Sequence, residues 1–288
     1  MSITEALKIN RPNLSTSSLK TYSSVLRNLQ KNMKGEGIEW FSENVTSILD
    51  YLKEKTAQTK KTSLSALFVL TKNQSYKDVM VQVMKLVNET DKNQKKNDKQ
   101  DKNWMSVKEI QDIYEPLLVK AKSMLSKKSI LNESTMMEFL LVSFLGGVVK
   151  DLAPRRSQDY TELKIRNYDT KKDNYYKRSK FYFNIYKTAK SYGEKVIQVP
   201  KELDVILKKW VKMNTNDYML YSTNGNKLSS PQISRILNKV FDKNVSTSML
   251  SHIYLTNIYK DLPPLNKMQE LSREMGHSIL QGLEYVKK

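Results

Sequence analysis

The residues with most capacity for chemistry lie late in the sequence. Glu274-Met275-Gly276-His277-Ser278 is followed by Tyr285, eight positions beyond the histidine (285 − 277). About two helical turns, or one turn and a loop, span that separation, so an imidazole and a phenol can share one site. A tyrosine oxygen is a nucleophile able to attack phosphorus, with the proton lost as it attacks. Taken alone, a Gly-His pair occurs often by chance and a late tyrosine is usually an ordinary surface or core aromatic, so the rest of the chain has to weigh the two readings.

Charge points toward a polyanion. The 288 residues carry 49 Lys+Arg against 30 Asp+Glu, a formal net charge of +19 that repels itself in a compact state unless a partner neutralises it. DNA, RNA or an anionic membrane each meet that need. The longest apolar run, Met136 to Val149, is broken by Glu138, Ser143 and Gly146-Gly147 and is shorter than a membrane span requires, so it reads as a buried core helix. The N-terminus has neither the basic start nor the apolar core of a secretion signal. There is no cysteine, which excludes structural disulfides, and only two histidines, His252 and His277, which leaves little for zinc. No carboxylate cluster suggests magnesium, so chemistry without metal or cofactor is expected, and no membrane partner.

These residues must be positioned by elements that periodicity makes legible. Leu19, Tyr22, Leu26, Leu29 and Met33 form a helical stripe from Thr16 to Met33, with Ser and Thr ahead of it as caps. Val45-Ile48-Leu49-Leu52, Leu64-Leu67-Phe68 and Val79-Val83-Met84-Leu86-Val87 continue the pattern, which predicts a small helical bundle over residues 1–87. Residues 88–103 contain no apolar side chain and read as a solvated linker, or as a lysine-bearing strap along a phosphate backbone. A second domain, 104–288, opens with the capping box Ser106-Val107-Lys108-Glu109. The helix from Met136 runs out at Pro154-Arg155-Arg156. A short strand at Leu163-Lys164-Ile165 follows, then alternation from Phe181 to Thr188, a turn at Ser191-Tyr192-Gly193, and Val196 to Val199, together an antiparallel hairpin. Helices are expected again after Pro200, after Pro231 and from Met249 to Tyr259. The fold class is mainly α with a small antiparallel sheet: an N-terminal helical bundle and an α+β domain.

This order of parts resembles the tyrosine recombinase family of phage and chromosomal integrases over nearly the whole chain. The lysine-rich, arginine-poor style resembles the recombinases of large DNA viruses and their satellites. The resemblance implies a helical DNA-clamping domain, a linker and a catalytic domain that close around double-stranded DNA. It also implies an intracellular location wherever the target DNA lies: virus factory, cytoplasm or nucleus. The family's first arginine follows a hydrophobic helix, with an acidic residue three positions on and a leucine four beyond that. Arg156 has Asp159 and Leu163 in those places, and Arg155 fits one residue out of register. The family's catalytic lysine projects from a β-hairpin and is often followed by threonine, which Lys187-Thr188 matches, with Lys190 as the alternative. His277 matches the phosphate-binding Gly-His element and Tyr285 the nucleophile, giving a 3′-phosphotyrosyl link without metal or nucleotide.

One position departs from the family. Where it writes His-x-x-Arg-His, this chain has Ser248-Met249-Leu250-Ser251-His252, so Ser248 replaces the histidine and Ser251 the second phosphate-binding arginine. His252 is then expected to be a buried structural residue. Serine has neither the charge nor the bidentate fork, and losing a single oxyanion donor costs about 2.7–4 kcal/mol, so weak activity is expected. The alternatives are a catalytically silent DNA-binding relative and a type IB topoisomerase that relaxes DNA. Only Val286-Lys287-Lys288 follow Tyr285, too few for a docking helix, so the free protein is expected to be a monomer and any homotetramer to depend on DNA.

Overall fold

Ser15 caps the first long helix by accepting a hydrogen bond from the Ser18 N–H at 3.1 Å, and the stripe predicted behind it is buried at Leu26 and Leu29. The computed structural model describes the chain apart from residues 93, 127–131, 276–277, 281–282 and 284–288. In chain order the first elements are α1 (Ile3–Asn10), α2 (Thr16–Met33), α3 (Trp40–Glu43), α4 (Val45–Lys53), α5 (Ala57–Thr71), α6 (Gln74–Lys92) and α7 (Asp98–Asn103). The chain continues as α8 (Val107–Ser126), α9 (Glu133–Leu145), α10 (Ser157–Thr161), β1 (Leu163–Lys164), β2 (Asn174–Lys177), β3 (Lys180–Phe183), α11 (Ala189–Tyr192) and β4 (Lys195–Gln198). Last come α12 (Lys201–Met213), α13 (Ser230–Phe241), α14 (Thr247–Ile258) and α15 (Leu265–Glu274). Among the described residues no helix is long and apolar enough to cross a membrane.

The chain divides into two compact units, one of residues 1–95 with those from Pro263 on, the other from Lys96 to Leu262. The sequence had placed the division at 88–103. Helix α6 runs through Lys92, and Asn97 starts α7 with a capping box in which its side chain takes the Gln100 N–H while the Gln100 side chain takes its own. Local hydrogen bonding thus orders α7, which buries no residue. In the first unit Leu7, Leu26, Phe41, Ile48, Leu67 and Tyr76 form the core, and the Tyr76 hydroxyl donates to the Phe41 carbonyl at 2.6 Å. Beyond Pro263, the Leu265 N–H donates to the Gln94 side chain at 3.0 Å.

The second unit is built on α9, whose residues from Phe139 to Leu145 are all buried. The predicted capping box is present ahead of α8: the Ser106 N–H donates to Glu109 at 2.7 Å, and the Glu109 N–H to the Ser106 hydroxyl at 3.1 Å. Two hydrogen bonds from Ser106, backbone first, hold the Glu109 carboxyl below its usual range. The four strands lie in sequence order, β1-β2-β3-β4. The sheet is mixed where an antiparallel one was expected, because β1 pairs parallel with β2. The chain between them reverses at Asn167, with φ +47°, and around the Asp169–Asp173 loop, and Lys164 holds Asp173 at 2.9 Å. The β2–β3 turn places Arg178 and Ser179 both at positive φ, the form whose twist matches a two-residue hairpin.

Helix α12 packs on this hairpin through Asp204. Its carboxylate accepts from the Tyr176 hydroxyl at 2.6 Å, the Ser179 hydroxyl at 2.7 Å and Lys208 at 2.6 Å. Burial is the largest single influence and pushes the carboxyl up, but the three donors together outweigh it and leave it below the usual range. A carboxyl depressed in the folded state stabilises above its unfolded pKa of about 3.9, and the contribution is lost as pH falls through the folded value. Asp204→Ala, which strands the buried Tyr176 hydroxyl and the half-buried Ser179 hydroxyl, should cost about 1–3 kcal/mol in urea unfolding at neutral pH. The gap to the unaltered chain should narrow below about pH 4. A gap that widens on acidification would sink this account.

Candidate active site

The arginine pair follows a chain reversal that glycine makes possible. Helix α9 stops at Leu145, earlier than the predicted run to Pro154, and Gly147 takes φ +69°, a region costly for other residues. A Cβ on Gly147 would also meet the Tyr254 ring at 2.6 Å. The chain then extends through Pro154 into α10, with Arg156 at its N-cap. Extended backbone sends neighbouring side chains to opposite sides, and the two arginines part company.

Arg155 turns inward, its side chain 18% exposed, and Nε donates to Asp159 at 2.8 Å one helical turn on. Its guanidinium carbon lies 4.4 Å from the centre of the Phe183 ring and 5.1 Å from that of Tyr186. Burial pushes the Asp159 carboxyl above its usual range, and the Arg155 charge pulls it part of the way back. With Nε engaged and both ring contacts made, the two Nη groups have no hydrogen bond among the described residues. Those two groups are the fork that grips a carboxylate or phosphate with parallel bonds. Arg156, which the sequence pattern selects, is exposed, and its side chain has no hydrogen bond or ion pair among the described residues.

Lys187 follows directly after Tyr186, so the structure brings the lysine loop to the arginine segment. Strand β3 ends at Phe183 rather than continuing to Thr188. The buried amide of Asn174 is the reason: its Oδ1 accepts the Asn184 and Ile185 N–H groups at 2.8 and 2.6 Å and takes them from any ladder. The loop then closes on itself, the Tyr186 hydroxyl donating to the Gly193 carbonyl at 2.7 Å. Lys187 is exposed in the turn and Lys190 is exposed on α11, a single helical turn that lengthens the β3–β4 connection.

The remaining positions come from later in the chain. Ser248 and Ser251 are on α14, Ser248 exposed and Ser251 half-buried with its hydroxyl donating to the Thr247 carbonyl at 3.2 Å. No hydrogen bond or ion pair joins them to Arg155, Arg156 or Lys187 among the described residues. His252 is exposed, contrary to the expected buried role, because α14 buries the arc of Met249, Leu250 and Ile253. Its Nδ1 lies 3.5 Å from the Gln100 amide. His277 and Tyr285 lie outside the described residues.

Sequence reasoning missed two residues that hold this arrangement, Asn174 and Tyr186, and did not foresee that Arg155 turns inward. Asparagine is depleted in strands, so its place beside two tyrosines was a usable signal. Nothing in the spacing distinguished Tyr186 from its neighbours. A guanidinium fixed by a carboxylate and two rings beside an exposed lysine can hold an anionic group and offer it a proton.

No family model matches the sequence, and no curated protein is similar to it. Among solved structures the chain is similar to a XerA recombinase, at 15% identity and a TM-score of 0.35, over 97% of this chain and 91% of that one. It is similar to a Tn1549 transposon integrase in complex with a circular intermediate DNA, at 12% identity and a TM-score of 0.48, over 100% of this chain and 96% of the other. A XerH site-specific recombinase bound to its difH substrate is similar at 15% identity and a TM-score of 0.44, over 100% of this chain and 85% of that one.

Proposed function

We propose that this chain is a tyrosine recombinase, a site-specific DNA recombinase or integrase that cuts and rejoins double-stranded DNA through a 3′-phosphotyrosyl intermediate. The observation that carries the reading is the Arg155 guanidinium, held by Asp159, Phe183 and Tyr186, with no hydrogen bond to its Nη groups among the described residues, directly beside the lysine loop. Arg155 grips two non-bridging oxygens of the scissile phosphate, and Arg156 adds an exposed cation from the same segment. The Tyr285 oxygen bonds to phosphorus as the bond to the 5′ oxygen breaks. The phenol gives its proton to water, and the Lys187 ammonium gives one to the departing oxygen. His277 hydrogen-bonds a phosphate oxygen. Rejoining reverses each transfer, and any tetramer is assembled on DNA.

Ser251 supports a second reading, a catalytically silent relative that binds and organises DNA. Where the family has arginine, a hydroxyl already engaged with the Thr247 carbonyl adds no positive charge. Ser251→Arg separates the readings. If the chain is an impaired enzyme, it should raise covalent adduct with nicked duplex DNA by about 10²-fold, the scale of one oxyanion contact. No adduct with either chain would favour the silent relative.

Two further outcomes test the roles. Tyr285→Phe should abolish the adduct while leaving DNA affinity unchanged, and Arg155→Lys, which keeps the charge but loses the fork, should slow adduct formation by about 10²-fold or more. An adduct persisting in Tyr285→Phe would assign the nucleophile elsewhere. Affinity should also fall steeply with salt, by about 10³-fold or more between 50 and 200 mM if six or more phosphates are contacted. A flat salt response in a filter-binding or anisotropy titration would remove the phosphate backbone as the main ligand.

A further inference from the structure

Asn174 is fully buried at the first position of β2, and every polar atom of its side chain is in use. Nδ2 donates to the Asp159 carbonyl at 2.9 Å and to the Ile185 carbonyl at 2.8 Å. Oδ1 accepts from the Asn184 and Ile185 N–H groups at 2.8 and 2.6 Å. One amide therefore joins the strand, the turn of α10 that supplies the carboxylate partner of Arg155, and the loop that carries Lys187. The hairpin does not need it for its own pairing, since the β2–β3 register runs over Tyr175↔Tyr182, Tyr176↔Phe181 and Lys177↔Lys180. A second amide adds an outer lock on the same loop: the Asn184 Nδ2 donates to the Thr170 and Asp173 carbonyls at 3.1 and 2.9 Å.

We propose that Asn174 is a positioning residue that sets the Lys187 loop against the Arg155–Asp159 pair, so that the proton donor and the phosphate-gripping guanidinium address one phosphodiester. This rests on the recombinase reading above. Asn174 touches no reacting atom; it acts through the two segments it joins. The N–H groups of Asn184 and Ile185 both donate to this side chain where the loop leaves the sheet, and a displacement there passes to Lys187 two residues on. General-acid chemistry is sensitive to such placement, because the ammonium must reach the oxygen as its bond to phosphorus breaks.

The test uses the full chain and two nicked duplexes drawn from the DNA flanking its own gene. They are identical except that one has sulfur in place of the bridging 5′ oxygen at the scissile phosphate. A thiolate departs without a proton, so loss of the general acid slows the oxygen substrate and spares the sulfur one. Asn174→Ala should behave as Lys187→Ala does: about 10²-fold slower on oxygen, less than about 10-fold on sulfur, with DNA affinity unchanged. Amide hydrogen exchange at Asn184 and Ile185 should quicken in Asn174→Ala. Asn184→Ala, which leaves the buried amide in place, should show the same oxygen–sulfur split at smaller size, and it carries the test if Asn174→Ala does not fold. Equal losses on both substrates, or unchanged exchange at the two amides, would overturn the positioning role. Cleavage of neither substrate by the unaltered chain or by Ser251→Arg, with exchange still responding, would overturn the recombinase reading and leave only the hydrogen-bond hub.

Discussion

A carboxylate buried as deeply as Asp159 is costly unless a cation meets it, and the second unit is arranged around that meeting. Taking each ion out of water costs several kcal/mol, offset only by close geometry and further contacts. Arg155 supplies the geometry at 2.8 Å and stacks its delocalised charge over Phe183 and Tyr186, a placement that lysine's compact ammonium would not reproduce. Through the guanidinium the pair links the start of α10 to Tyr186 in the loop after β3. Its neighbours are closely packed: Tyr160 stacks on Phe144 at 4.6 Å between ring centres and meets Phe183 edge-on at 5.7 Å. Burial pushes the Tyr160 hydroxyl, which has no partner among the described residues, well above its ordinary range.

The same logic explains why so lysine-rich a chain keeps arginine at particular places. Arg166 donates to the Asn216 carbonyl at 3.0 Å and also to the Val211 carbonyl, tying the loop after β1 to the end of α12. Arg27 reaches the Thr4 hydroxyl at 3.3 Å between the first two helices. Each uses a planar guanidinium to reach a defined partner. Most lysines stand at the surface, where charge matters more than direction, and that division suits a protein whose general attraction to a polyanion is separate from its fixed contacts.

Several helices were legible where an apolar stripe and a cap agreed, although α1, with its Ser2–Glu5 capping box, was not read. Ser15, Ser106 and Pro231 marked three starts, and Leu203, Ile206, Leu207 and Trp210 are all buried on α12 as their spacing implied. What escaped the sequence depends on contacts between distant residues. Strand β2 is four residues long and was not read at all, and β3 was drawn too long because the alternation continues past Phe183 while the amide of Asn174 removes the backbone from the sheet. The inward turn of Arg155 depends on where Asp159 and two rings lie in space, which spacing along the sequence does not reveal. His252 was misread because a family position was taken for a burial pattern; the buried arc of α14 lies beside it.

The outer face of the sheet carries three tyrosines stacked ring on ring, Tyr168 to Tyr175 at 4.6 Å and Tyr175 to Tyr182 at 4.5 Å. Opposite them, Phe181 and Phe183 face the core. Side chains alternate along a strand, so a slip of one residue would exchange these two sets, drive a phenol inward and turn the floor beneath Arg155 out to water. The column of rings works as a ratchet that permits one phase only. A residue inserted between Arg178 and Ser179 would therefore act at a distance, spoiling the seat of a guanidinium it never touches, which makes the tightest turn in the sheet the least forgiving place for a change in length.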